Sequence, residues 1–304
     1  ARWSCLFQLQ EGGGPKGVVL TLDNFLTYWP PRRVLQDEFV FLMQGEECPP
    51  EQVMEKCVAW GYERASMTSR VGQFSARGDI LDIFPPGYEL PLRLEYFGDT
   101  VESIRPFHPV SQRSSSKLGE AVILPVAPAL LGTEYIRQAE EVWEHLWTTG
   151  RLSKKAMSGL KEGVLNGEAG IHPGLFYPDP ASMADWLPKN ALTFLVNPGR
   201  VRSALEETET TWTEREEDET EQRGWQRPLE CLMQSRTRAR QDLLSGQQLL
   251  FEELPIGDRG RGVELPEKRY DSFREIFWQP EERKRPLSAL TGALKQWRET
   301  KHQV

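Results

Sequence analysis

The chain holds 304 residues, 38% of them from the hydrophobic set, with 25 glycines besides. At roughly 150 residues per domain that suffices for two or three packed domains, which excludes wholesale disorder. The net charge of −8 is local: residues 206–221 set nine acids against Arg215, and the rest balances, so any contact with nucleic acid would need a local patch. No window approaches the roughly 20 apolar residues of a membrane-spanning helix, which argues against an integral membrane protein. The start, Ala1-Arg2-Trp3-Ser4-Cys5, lacks an initiator Met and an export pattern and reads as a cut end inside a longer protein. Cysteines at 5, 48, 57 and 231 have neither metal-finger spacing nor disulfide-scaffold density, which points to a reduced, cytoplasmic setting.

In chain order, Val18–Leu22 reads as a short buried strand. A helix through Phe25, Leu26 and Trp29 follows, capped by Asp23 or Asn24 and ended by Pro30-Pro31. A second helix starts at Pro49-Pro50 with Val53, Met54, Cys57 and Val58 on one face, and Gly61 suits its left-handed stop. From Phe74 the period becomes two. One strand is expected over 74–84, another over 92–97, a tight turn at Gly98-Asp99, a return over 100–107 and a further strand over 120–124. This is a curled antiparallel sheet with the helix at 50–60 packed on it. Beyond Pro128 come a helix over 135–147, a buried strand over 191–196 and a long solvated acidic helix ended by Gly224. A Gly- and Arg-rich loop spans 255–266, and a helix is expected over 287–301.

Most familiar catalytic chemistries find no support. Gly12-Gly13-Gly14-Pro15-Lys16-Gly17 lacks the Ser or Thr after the lysine that a phosphate-cradling loop needs, and Pro15 removes a donor, so a plain turn is expected. His108, His145, His172 and His302 are scattered, with no carboxylate at metal-ligand spacing, and no GxSxG elbow occurs. The strand over 92–97 is more informative. Leu92, Leu94 and Tyr96 share its core face, while Arg93, Glu95 and Phe97 share the other. An exposed arginine with a large aromatic has the composition of a protein-binding hot spot, and Arg77 beside Gly78 could join it. The competing reading is a cross-strand ion pair such as Arg93 with Asp82, capped by the phenyl ring. Physics alone leaves both open.

The series Arg77-Gly-Asp-Ile-Leu-Asp-Ile-Phe-Pro85, Leu90-Pro-Leu-Arg-Leu-Glu-Tyr-Phe-Gly-Asp99, Glu102-Ser-Ile-Arg105 and Ser111-Gln-Arg-Ser114 closely resembles the UvrA-interacting domain of bacterial transcription-repair coupling factors, the Mfd family. The same domain occurs in the excision-repair helicase UvrB. Leu20–Leu35 resembles the end of a preceding helicase-like lobe, and Gly170–Phe176 with Asp185–Pro188 its returning half. The resemblance implies an α/β multi-domain (α+β) fold: a degenerate helicase-like lobe, an inserted antiparallel β-rich UvrA-binding domain and a further small α/β domain. Its boundaries would be 1–34 for the first half-lobe, 35–126 for the UvrA-interacting domain, 127–222 for the returning half and 223–304 for a partial small domain.

Where the true helicase follows its strand with the magnesium-holding carboxylates, this chain has Asn197-Pro198-Gly199, so the lobe resembles the coupling factor's copy without ATPase. The resemblance therefore implies a non-catalytic module that needs no cofactor itself, with ATP and magnesium belonging to a downstream motor. Family contacts to UvrA fall on Arg77, Arg93 and Phe97, with Asp79 and Glu95 as rim charges. Further implied partners are the factor's own C-terminal domain, which masks this surface at rest, and RNA polymerase and duplex DNA through downstream domains. The expectation is that Arg93→Ala weakens UvrA binding without altering the melting curve. Two rivals stand beside it: a nucleotide-hydrolysing fragment of UvrB, and a DNA-binding module using Arg236, Arg238 and Arg240 in the basic region 222–304.

Overall fold

The computed structural model describes residues 2–10, 17–167, 171–188, 190–244 and 247–251. The glycine-rich run over 12–16, the loop over 255–266 and the helix expected over 287–301 lie outside the described residues.

A five-stranded sheet forms the middle of the chain, in the order β2 (Glu63–Arg64), β3 (Gln73–Arg77), β4 (Ile80–Ile83), β5 (Leu92–Phe97) and β6 (Thr100–Pro106). All its pairings are antiparallel except the short β2–β3. Strand alternation sorts it into two faces. Phe74, Leu81, Ile83, Leu92, Leu94, Tyr96, Val101 and Ile104 are buried on one. Helix α4 (Pro50–Ala59) adds Val53 and Cys57 to that core and stops at Gly61, whose φ of +81° is cheap only for glycine. Val58, expected on the same apolar face, points outward and is exposed.

Two of the strands expected in this sheet differ. The run over 74–84 is a hairpin rather than one strand, because Gly78, at φ +55°, turns the chain back between β3 and β4. The strand over 120–124 leaves the sheet. As β7 (Glu120–Ile123) it pairs antiparallel with β1 (Val40–Met43), Val40 opposite Ile123. That two-stranded ribbon brings together the points where the chain enters and leaves the region holding the sheet.

Segments before and after this region pack on each other, and tryptophan indoles fasten them. Trp3 donates to the Ala127 carbonyl at 2.7 Å and Trp186 to the Pro30 carbonyl at 3.1 Å, both across more than a hundred residues of sequence. The elements here are α1 (Arg2–Gln10), α2 (Leu22–Leu26), α3 (Arg32–Asp37), α5 (Thr133–Thr148), α6 (Lys154–Leu165), α7 (Pro173–Phe176) and α8 (Met183–Trp186). Val18–Leu22 is not a strand. No neighbour among the described residues pairs with it, and Thr21 caps α2 by accepting from the Asn24 N–H at 3.3 Å. A short apolar run does not by itself distinguish a strand from the lead-in to a helix.

Downstream, β8 (Leu192–Val196) pairs in parallel with β9 (Gln247–Phe251). It was expected to be buried, yet its residues alternate between exposed and half-buried, since β9 covers an edge and not a face. Asn197 turns left-handed (φ +55°) straight into α9 (Pro198–Arg223), the acidic helix, which ends at Gly224 with φ +76°. The last described helix is α10 (Arg236–Leu244).

Candidate protein-docking face

The sheet's second face carries the sequence-predicted residues. The Gly78-Asp79 turn makes Arg77 pair with Ile80 and Ser75 with Asp82. Across the next strands Ile80 faces Glu95 and Asp82 faces Arg93, while Glu95 faces Ser103 and Arg93 faces Arg105. Two rows result, Ser75–Asp82–Arg93–Arg105 and Arg77–Ile80–Glu95–Ser103, separated by two residues along each strand, roughly 7 Å. A register irregularity between Glu95 and Tyr96 follows, and Phe97 sits opposite Thr100 beyond it.

The two ends of this face differ. At the turn end Phe97 is 77% exposed and Ile80 37% exposed, with Arg77 and Asp79 also exposed. The Arg77 guanidinium donates to the Ser66 carbonyl, two residues beyond β2. Glu95 is half-buried and accepts from the Ser103 hydroxyl. At the other end Arg93 is held inside the fold. Its Nε and Nη2 donate to the two Asp82 oxygens at 2.8 Å each, and Nη2 also donates to Gln112 Oε1 at 3.0 Å. The guanidinium lies 4.4 Å from the centroid of the buried Phe107 ring. The Arg93 and Asp82 side chains keep only 19% and 11% of their exposure.

The structure therefore gathers Arg77, Asp79, Glu95 and Phe97 at one end and sets Arg93 behind them in the ion pair that the sequence left open. This corrects the expectation that Arg93→Ala leaves the melting curve unchanged: truncation would strand Asp82, which is 8% exposed, without its cation. The hydrogen bonds to Asp82 hold the Arg93 guanidinium above its ordinary pKa, and burial pushes the Tyr96 phenol on the core face upward. Sequence reasoning missed Ile80 as an exposed apolar group. The available signal was the Gly-Asp turn, which inverts side-chain parity between β3 and β4, so that even positions face the core before it and odd ones after it, and moves Ile80 out of the core.

Elsewhere the described residues offer less. No group of three or more His, Cys, Asp and Glu side chains among them could hold a metal ion, and no helix is long and apolar enough to cross a membrane. The arginines of α10 are partly committed: Arg238 pairs with Asp242 and Asp185, and Arg236 with Glu209 at 3.7 Å.

Comparison with known proteins bears on this face. Residues 40–128 match the family described as the UvrB interaction domain, a span that contains the β1–β7 ribbon and the whole five-stranded sheet. The transcription-repair-coupling factor of Myxococcus xanthus is 32% identical over 226 residues, 71% of this chain and 18% of the relative. That of Bacillus subtilis (strain 168) is 30% identical over 220 residues, 68% of this chain and 19% of the relative. A Staphylococcus aureus (strain Mu50) relative of the same name is 34% identical over 152 residues, 49% of this chain and 13% of the relative. The chain thus spans less than a fifth of the length of these curated relatives. With a UvrB interaction domain at 40–128 and relatives of one name aligned over more than twice that many residues, the chain is similar to the N-terminal UvrB-homology module of the transcription-repair-coupling factors.

Proposed function

We propose that this chain is a non-catalytic recruitment module that binds UvrA through the turn end of its five-stranded sheet. The observation that carries the reading is Phe97, 77% exposed beside Ile80 and flanked by Arg77 and Asp79, inside the span matching the UvrB interaction domain. A large exposed ring held on a rigid strand supplies dry contact area at little entropic cost, and surrounding charges fix orientation. Phe97 and Arg77 are the proposed direct contacts, Asp79 and Glu95 the rim, and Arg93 a positioning residue. By aligning Asp82, Gln112 and Phe107 it holds strand β5 in register beneath the ring.

In the whole factor the module would deliver UvrA, and with it nucleotide excision repair in the cytoplasm, to a stalled RNA polymerase. Polymerase, duplex DNA and ATP would be handled by other parts of the polypeptide, and the C-terminal domain would cover this face at rest. The boundaries 1–34, 35–126, 127–222 and 223–304 remain the proposed division, the second close to the matched span.

Binding of purified UvrA to the chain tests the reading. Phe97→Ala is expected to weaken it by about 30-fold, on the order of 2 kcal/mol, with an unchanged melting temperature. Equal affinity of wild type and Phe97→Ala would overturn it. Tight binding of magnesium-ATP by this chain would favour the rival nucleotide-hydrolysing fragment, against the absence of acidic side chains at 197–199.

A further inference from the structure

Arg105 stands directly opposite Arg93 in the β5–β6 register, on the same face as Glu95 and Phe97. Two like charges in facing positions destabilise a sheet unless each is compensated. Arg93 is compensated, because both oxygens of Asp82 are engaged by its guanidinium. The carboxylate in the next row, Glu95, accepts from Ser103. Among the described residues Arg105 forms no ion pair, and its Nε is shielded from water with no hydrogen-bond partner. Leaving a buried donor of a charged group unsatisfied is costly, and a free-standing module has no evident use for it.

Resting on the reading of this face as a docking surface, we infer that Arg105 is the cation through which it takes a carboxylate from its protein partner. A half-buried guanidinium is held in a narrow range of orientations, and its fork matches an Asp or Glu side chain in bidentate fashion. The carboxylate would pair with the outer amino groups of the guanidinium, offsetting the charge that no carboxylate of the described residues meets, and relieve the repulsion between the two arginines. The segment bordering β6, joined to it at Ile104–Leu118 and Phe107–Ser114, adds exposed Arg113 and Lys117, neither in an ion pair among the described residues. An acidic loop of the partner suits this end while its apolar surface meets Phe97 and Ile80. A nucleic-acid backbone suits it less, since Asp79, Asp82 and Glu95 share the face and would oppose a continuous run of phosphates.

The test measures UvrA affinity at low and high salt, together with melting curves, for wild type, Arg105→Gln, Arg105→Lys and Phe97→Ala. Arg105→Gln is expected to lose about tenfold or more in affinity, to flatten the salt dependence and to melt at the wild-type temperature or above it. Arg105→Lys should recover only part of the affinity, because an ammonium lacks the fork. Wild-type affinity in Arg105→Gln while Phe97→Ala loses binding would overturn this inference and spare the docking reading. Wild-type affinity in both variants would overturn the two together. A melting temperature lowered by Arg105→Gln, or duplex DNA binding that depends on Arg105, would also overturn it.

Discussion

Arg93 and Asp82 face each other across β5 and β4, joined by two parallel hydrogen bonds of 2.8 Å and closed off by the ring of Phe107. A pair so enclosed behaves asymmetrically: it adds little over an apolar pair, but removing one member is expensive. Arg93→Ala is expected to destabilise the chain by about 3 kcal/mol, since it buries an unpaired carboxylate. Asp82→Ala in the same background should restore part of the loss. Denaturant melts of the two single variants and the double variant would check this, with additive effects arguing against the coupling.

A second stability prediction concerns Gly174 in α7, where backbone approaches backbone. Any side-chain carbon there would collide with the carbonyl oxygen of Cys231 and crowd the Tyr28 ring. Neither neighbour can yield as the tip of a flexible side chain would. Gly174→Ala should cost about 3 kcal/mol or prevent folding. Gly167→Ala is the control, although there the φ of +75° adds about 1 kcal/mol of backbone strain despite open space. A thermal melt that ranks the two variants the other way would contradict the close approach.

Acid should loosen the end of α9. Glu216, 2% exposed, accepts from the Arg227 backbone N–H at 2.7 Å, from Arg227 Nε at 2.9 Å and from Arg223 at 3.1 Å. Burial alone would raise its pKa, but these bonds outweigh burial and hold it below the ordinary carboxylate value. A carboxylate lowered on folding contributes stability that is fully present above its unfolded pKa, about 4.3, and is lost as pH falls through the folded value. Stability of the wild type should therefore fall in that window below about pH 4.3. Glu216→Gln should start less stable at neutral pH and lose less on acidification, which circular dichroism melts across pH would register.

Thiol chemistry offers a check on packing. Burial pushes the Cys57 thiol to about 12 and that of Cys231 to about 11, chiefly by desolvation. Both are buried, whereas Cys5 and Cys48 are half-buried. A thiol reagent near pH 8 should label Cys5 and Cys48 first and reach Cys57 only on unfolding. Rapid labelling of Cys57 in the native chain would contradict the placement of α4 on the sheet.

The sequence by itself determined the elements whose signals are local and periodic. Pro50 and Gly61 bounded α4, Gly98-Asp99 set the β5–β6 turn, Gly224 ended the acidic helix, and the alternation of Leu92, Leu94 and Tyr96 assigned the core face of β5. It also held the ordered motif that marks the UvrB interaction domain, since that motif is a string of residues and not a distance. Only the tertiary structure decided what each exposed position does. Whether Arg93 meets solvent or Asp82 depends on the parity shift at Gly78 and on cross-strand register, and whether β7 joins the sheet or β1 depends on partners far apart in sequence. Register and pairing are relations between distant segments, fixed when the core closes, so no local pattern could have ranked Phe97 as free, Arg93 as enclosed and Arg105 as uncompensated.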